Sequence, residues 1–143
     1  MEYGRGADVQ TPLEVSRSFL EVPKGDGSLY RISLIGLERP SPDGSHGQLD
    51  YMVSTKLKEY FAAVFSRPAA ETDEVVLDLS KIEHTDSAGL SALLLFYRGH
   101  QSAYKRPPHF IAEESSQIDG MLGIIGIDTL GSVTELTSAL EDM

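Results

Sequence analysis

Val75-Val76-Leu77-Asp78-Leu79, followed by Thr85-Asp86-Ser87-Ala88-Gly89-Leu90, decides the fold. The first stretch is short, β-branched and nearly all apolar, the composition of a central strand covered on both faces. The second sets helix-capping residues before an apolar run, so Ala88–Ala103 is predicted to be a helix. Leu90, Leu93, Leu94, Leu95 and Phe96 spread around nearly every side of it, which predicts deep burial. Lys105 and Arg106 suit its C-terminal end, and Pro107-Pro108 stops it.

Working outward, the segment before this unit is a second helix. Leu49, Met52, Val53, Leu57, Tyr60, Phe61, Val64 and Phe65 recur at three- and four-residue spacing. Pro68 ends it, and Glu71-Thr72-Asp73-Glu74 is a polar link. Earlier still, Ser18–Val22 and Leu29–Leu37 read as the strands of a hairpin, with Lys24-Gly25-Asp26-Gly27 as the turn. Tyr30, Ile32, Leu34 and Gly36 share one face of the second strand. Between hairpin and helix, Arg39-Pro40-Ser41-Pro42-Asp43-Gly44-Ser45-His46-Gly47 is a loop, read as an insertion over 39–48.

On the other side, His109–Ala112 reads as a short strand. Ser115 and Ser116 offer caps for a helix carrying Ile118, Met121, Leu122 and Ile125, which Gly126 ends. Leu130–Val133 reads as a last strand and Thr134–Met143 as a last helix. The alternation predicts an α/β fold: a mixed, mostly parallel sheet of four to five strands with about four helices. Residues 1–12 are polar and are expected to be a flexible tail rather than a signal peptide. Residues 13–143 are expected to form one domain.

The 143 residues suffice for one core, and an apolar fraction of 41% fits a globular chain. The formal net charge of −10 opposes nucleic acid and anionic membranes, whose phosphates need Lys and Arg. No apolar run approaches the length of a membrane span. With no cysteine, disulfides, thiol catalysis and cysteine metal sites are excluded. The default location is the cytoplasm.

The candidate site is Ile82-Glu83-His84-Thr85-Asp86-Ser87-Ala88-Gly89-Leu90. Partner and ligand sites in open α/β sheets lie at this end of the strands. Backbone donors at a helix start attract anions, so a phosphate on Ser87 would meet amides and the helix dipole. Ala88 and Gly89 are expected to leave that backbone open to a partner. Spacing alone favours the ordinary reading, in which Asp86 or Ser87 is only a helix N-cap.

Asp86-Ser87-Ala88-Gly89-Leu90, placed after Val75–Leu79, resembles the signature of the STAS domain family in its anti-sigma factor antagonist branch. That signature is Asp, Ser, then Ser, Thr or Ala, then Gly and an aliphatic residue. The resemblance runs from about Phe19 to Leu140. It includes the helix with Ile118 and Leu122, the Gly126-Ile127 pair and Ala139-Leu140. Gly47-Gln48-Leu49-Asp50 is similar to the Gly-Glu-Leu-Asp that opens the family's first helix.

The resemblance implies a bacterial partner-switching protein that regulates transcription. Unphosphorylated, it binds an anti-sigma factor that is also an ATP-dependent serine kinase, and the sigma factor is freed. Phosphorylation of the serine dissociates the complex, and a serine phosphatase resets it. Carried over by position, the acceptor is Ser87, and the partner face is His84, Thr85, Asp86, Ser87, Ala88, Gly89, Leu90 and Asp50. Ser87 is then a substrate side chain, not a catalyst, and no cofactor is implied. Two departures stand out. The insertion leaves open whether Asp50 or Glu38 occupies the family's acidic position near the serine. Ala88 replaces a second hydroxyl, leaving Thr85 and Ser91 as outlying acceptors. STAS domains also serve as non-phosphorylated scaffolds or accessory subunits of transport or signalling complexes, and this is the alternative.

Other readings are weaker. His84, Asp86 and Ser87 could suggest a hydrolase, but near-neighbours on one loop rarely form a triad. Thr85 also stands where a Gly-x-Ser-x-Gly elbow needs Gly. His46, His84, His100 and His109 lack paired metal-ligand spacing. Gly120, Gly123 and Gly126 are followed by no Lys-Ser/Thr and are expected to permit close packing and end a helix. Tyr60, Phe61 and Phe65 are read as core.

Overall fold

In the computed structural model, the structure describes residues 14–38, 47–66 and 72–141. The expected tail (1–12), most of the insertion (39–46), Pro68 and the last two residues (142–143) of the expected last helix lie outside the described residues. In chain order the elements are β1 (Glu14–Pro23), β2 (Leu29–Glu38), β3 (Gly47–Leu49), α1 (Tyr51–Ser66), β4 (Glu74–Asp78) and β5 (Ile82–Thr85). They are followed by α2 (Ser87–Tyr104), β6 (Phe110–Ile111), α3 (Gln117–Ile124), β7 (Thr129–Leu130) and α4 (Val133–Glu141).

β1 and β2 form the expected hairpin, longer than the sequence indicates. Ser28 N and Oγ both donate to Asp26 Oδ1, and Gly27 takes a positive φ of 90° in the turn. β2 pairs antiparallel with β1 and parallel with β4. β6 and β7 extend the sheet in parallel, giving the order β1-β2-β4-β6-β7. The mixed, mostly parallel α/β architecture is therefore present.

β4 is covered on both faces. Val75 and Leu77 join Leu57, Phe61, Leu93 and Phe96 in the larger core, beneath α1 and α2. Val76 lies on the other side with Tyr30, Ile32, Leu136 and Leu140, beneath α4. Phe61 and Phe96 meet edge to face at 4.9 Å, and Phe65 and Phe96 at 5.3 Å, which locks α1 against α2.

Four expectations are corrected. α1 begins at Tyr51, because Leu49 is already spent in a strand: β3 pairs in parallel with β5 as a separate two-stranded sheet. That pairing is only three to four residues long, too short to leave a periodic trace in the sequence. The last strand is Thr129–Leu130, and α4 starts at Val133, with Ser132 Oγ accepting from Glu135 N. α2 is not buried all round. Gly89, Ala92, Leu93, Phe96 and His100 face the core, while Leu95 is exposed on the outer side.

At the far end of α2, the fully buried His100 joins helix to sheet. Its Nε2 accepts from Val75 N at 3.2 Å, so Nδ1 carries the hydrogen and donates to Arg106 O at 3.0 Å. Burial pushes its pKa below 6.5, overriding the opposing effects of the Arg106 hydrogen bond and the Glu74 charge. With the folded value depressed, this contribution to stability is fully present above 6.5 and is lost as pH falls through the lower folded value. Chemical denaturation from pH 7.5 to 5 is expected to show a steeper loss for wild type than for His100→Gln. Parallel pH profiles would contradict the assignment.

Candidate functional site

β5 runs into α2 through Asp86 alone. The Asp86 backbone is extended (φ −104°, ψ −174°), and its Oδ1 accepts from Gly89 N at 2.9 Å. This satisfies one of the unpaired donors at the helix start. Its Oδ2 accepts from Tyr51 N, the first amide of α1, at 3.0 Å. One carboxylate thus serves two helix starts, with its negative charge at the positive end of both dipoles.

The backbone beside it is equally constrained. Leu49 O accepts from Asp86 N at 3.2 Å and from Thr85 Oγ1 at 2.8 Å. Thr85 N donates to Gln117 Oε1 at 2.8 Å, which ties β5 to the start of α3. A Cβ on Gly89 would lie 2.2 Å from both Leu49 O and Thr85 Oγ1. The end of β3 therefore crosses the first turn of α2 at a point where no side chain fits.

With Asp86 as the cap, Ser87 occupies the first helical position. It is exposed, and among the described residues its hydroxyl has no hydrogen-bond partner. The choice between Asp86 and Ser87 as N-cap is settled for Asp86, and Ser87 has no capping task. The same geometry leaves no base within hydrogen-bond reach of Ser87 among the described residues, as a hydrolytic triad would need.

His84 is exposed on β5, in register with Gln48 of β3, while Asp86, Ala88 and Leu90 are half-buried. Thr85 and Gly89 are buried. This corrects two expectations. Thr85 is engaged inside and is not presented as an acceptor, and the space at Gly89 is filled by Leu49 and Thr85 rather than left for a partner.

Asp50 directly precedes α1, and its carbonyl accepts from Val53 N at 3.1 Å and Ser54 N at 3.0 Å. It lies between Leu49 and Tyr51, the two residues whose backbones bond Asp86, so the 47–50 segment lies beside the serine. Glu38 instead ends β2 opposite Glu14. The likeness of Gly47–Asp50 to Gly-Glu-Leu-Asp pointed to this segment. Nothing in the sequence singled out Gln117 or the Tyr51 amide.

Losing the Asp86 carboxylate should loosen both helices. Asp86→Ala is expected to cost about 2 kcal/mol, the upper end for a lost cap. Asp86→Asn keeps an acceptor for Gly89 N and should cost less. Equal losses for the two variants in urea denaturation would contradict the double role.

Among the described residues, no group of three or more His, Asp or Glu side chains is arranged to hold a metal ion. No helix among them is long and apolar enough to cross a membrane. His46 lies outside the described residues.

No family model matches the chain, and no curated protein matches it. Solved structures do. The anti-sigma factor antagonist SpoIIAA in its unphosphorylated form superposes with a TM-score of 0.54 at 12% identity, over 90% of this chain and 100% of that one. An anti-sigma factor antagonist from Mycobacterium paratuberculosis gives 0.55 at 16% identity, over 90% and 96% of the two chains. The Bacillus cell fate determinant SpoIIAA in its phosphorylated form gives 0.51 at 10% identity, over 87% and 99%. At these identities the likeness is one of architecture: the chain carries the fold of these anti-sigma factor antagonists.

Proposed function

We propose that the chain is an anti-sigma factor antagonist of the STAS type, acting in the bacterial cytoplasm through a switch at Ser87. Unphosphorylated, it binds an anti-sigma factor that is also a serine kinase and so frees the sigma factor. ATP-dependent phosphorylation of Ser87 ends the complex, and a serine phosphatase restores it. The chain is a substrate in this cycle, not an enzyme, and uses no cofactor. His84, Asp86, Ala88, Leu90 and Asp50 surround the acceptor, with Thr85 and Gly89 shaping the backbone beneath it.

The observation that carries this reading is the exposed hydroxyl of Ser87 at the first position of α2, released from capping by Asp86. The fold shared with antagonists solved in phosphorylated and unphosphorylated forms supports it. A phosphate adds about −1.5 to −2 charges at neutral pH, beside Asp86 on a chain already at −10. A partner surface built for a neutral hydroxyl would then bury an unpaired charge. Only about 1.4 kcal/mol of lost affinity is a tenfold change.

Intact mass of the protein from its own host is expected to show one phosphate, mapped to a peptide containing Ser87. Ser87→Ala should abolish labelling by the cognate kinase and ATP. Labelling of Ser87→Ala at the full rate would overturn the assignment.

A further inference from the structure

α3 carries two glycines whose expected role is not filled. A Cβ added at Gly120 or at Gly123 would meet nothing within 4 Å, and neither residue has a positive φ. Neither glycine permits close packing inside the fold, which corrects the sequence expectation. Gly126 alone behaves as expected, with a φ of 87° just past the helix end. Interior glycines weaken a helix relative to alanine, so α3 forgoes stability for no intramolecular contact.

The same outer side holds an exposed apolar surface. Ile124 is 86% exposed, more than any other large apolar side chain among the described residues, and Ile125 is exposed beside it. Ile118 and Leu122 face the core, so Gln117, Gly120 and Ile124, at helical spacing, form the opposite face, with Met121 half-buried at its border. A bare backbone next to two exposed isoleucines lets another chain approach closely.

The size and charge of this face select its occupant. An eight-residue helix is about 12 Å long, so one face offers roughly 200–300 Å². A stable interface needs about 800 Å² from each partner. Two copies meeting through α3 alone would fall well short, and each carries −10. The face becomes large enough only as part of a wider surface. The structure supplies the continuity, since Gln117 at the start of α3 is bonded to Thr85, two residues from Ser87.

We infer that the glycine-bare face of α3, with Ile124 as its anchor, is the second half of the docking surface for the partner that reads Ser87. That partner presents a closely approaching apolar segment to α3. This inference rests on the proposed function and extends the contact beyond the serine loop.

Photo-crosslinking in the native host tests it, with benzoylphenylalanine placed in the full chain at Ile124 or at Ser91, an exposed α2 residue one turn beyond Ser87. The expected result is an adduct to the same protein from both positions, identified by mass spectrometry. Against that purified protein, Ile124→Asp should bind about tenfold more weakly with an unchanged melting midpoint. Gly120→Ala with Gly123→Ala should raise the midpoint yet weaken binding about tenfold; a lowered midpoint would return the glycines to a role within the fold. An adduct from Ser91 alone, a different protein at Ile124, or a second copy of this chain there overturns the inference and leaves the Ser87 reading standing. No adduct from either position overturns both.

Discussion

Gly89→Ala is expected to destabilise the protein by about 3 kcal/mol, at the upper end for overpacking. In an ordinary helix the same change stabilises, because alanine is the better helix former by about 1 kcal/mol. Here the sign reverses. The added methyl would sit 2.2 Å from Leu49 O and from Thr85 Oγ1. Leu49 O is a backbone atom, fixed by bonds from Asp86 N and Thr85 Oγ1 and by the buried Leu49 side chain. Relief requires β3 to move off α2, which breaks both bonds and strains the contact between Asp86 and Tyr51 N. Thermal and urea denaturation of Gly89→Ala against Gly120→Ala measure the contrast. Gly120 stands in open space and should gain stability. If the two alanine variants shift in the same direction, the crossing of β3 over α2 is not as tight as described.

The regular part of this structure was legible because hydrophobic period reports burial. Val75–Leu79 reads as a strand covered on both sides, and its side chains do divide between two cores. The stripe from Val53 to Phe65 reads as one face of α1, and Leu57 and Phe61 lie in the core. The serine loop was legible as a place but not as a geometry. Asp86 and Ser87 are adjacent residues of similar capping preference, and only the extended backbone at Asp86 separates their roles. Gly89 reads as accessible in the sequence because a missing side chain does not announce whether protein or solvent fills its space. The β3–β5 pair joins segments more than thirty residues apart through a few backbone groups that carry no period, and the bond from Thr85 N to the Gln117 side chain spans a similar gap through a single polar contact. α2 misled in the opposite direction, since its outward Leu95 looks the same in sequence as its buried Leu93.

Arg106→Met is expected to cost about 3 kcal/mol, through a buried charge at the opposite end of the sheet from Ser87. Glu74, the first residue of β4, is fully buried. Its Oε1 accepts from Tyr30 OH at 2.8 Å and from Arg106 Nη2 at 3.1 Å, and its Oε2 is paired with His109 Nδ1. Tyr30 belongs to β2, Arg106 follows α2, and His109 leads into β6, so one carboxylate gathers three separate segments. Removing one partner from a buried pair typically costs about 3–5 kcal/mol, because the remaining charge is left short of compensation. Arg106 is about a third exposed, with 30% of its side chain accessible, which places the expectation at the lower end. Arg106 also donates to Asp73 O at 2.8 Å and lies over the Tyr30 ring, so part of the loss is independent of Glu74. A double-mutant cycle separates the two parts. In Arg106→Met with Glu74→Met the orphaned charge is gone, and apolar replacement of a whole buried pair is often close to neutral. The double variant should therefore be more stable than Arg106→Met alone. If the two losses instead add, Glu74 draws its compensation from Tyr30 and His109, and the arginine serves only to hold the end of α2 to Asp73.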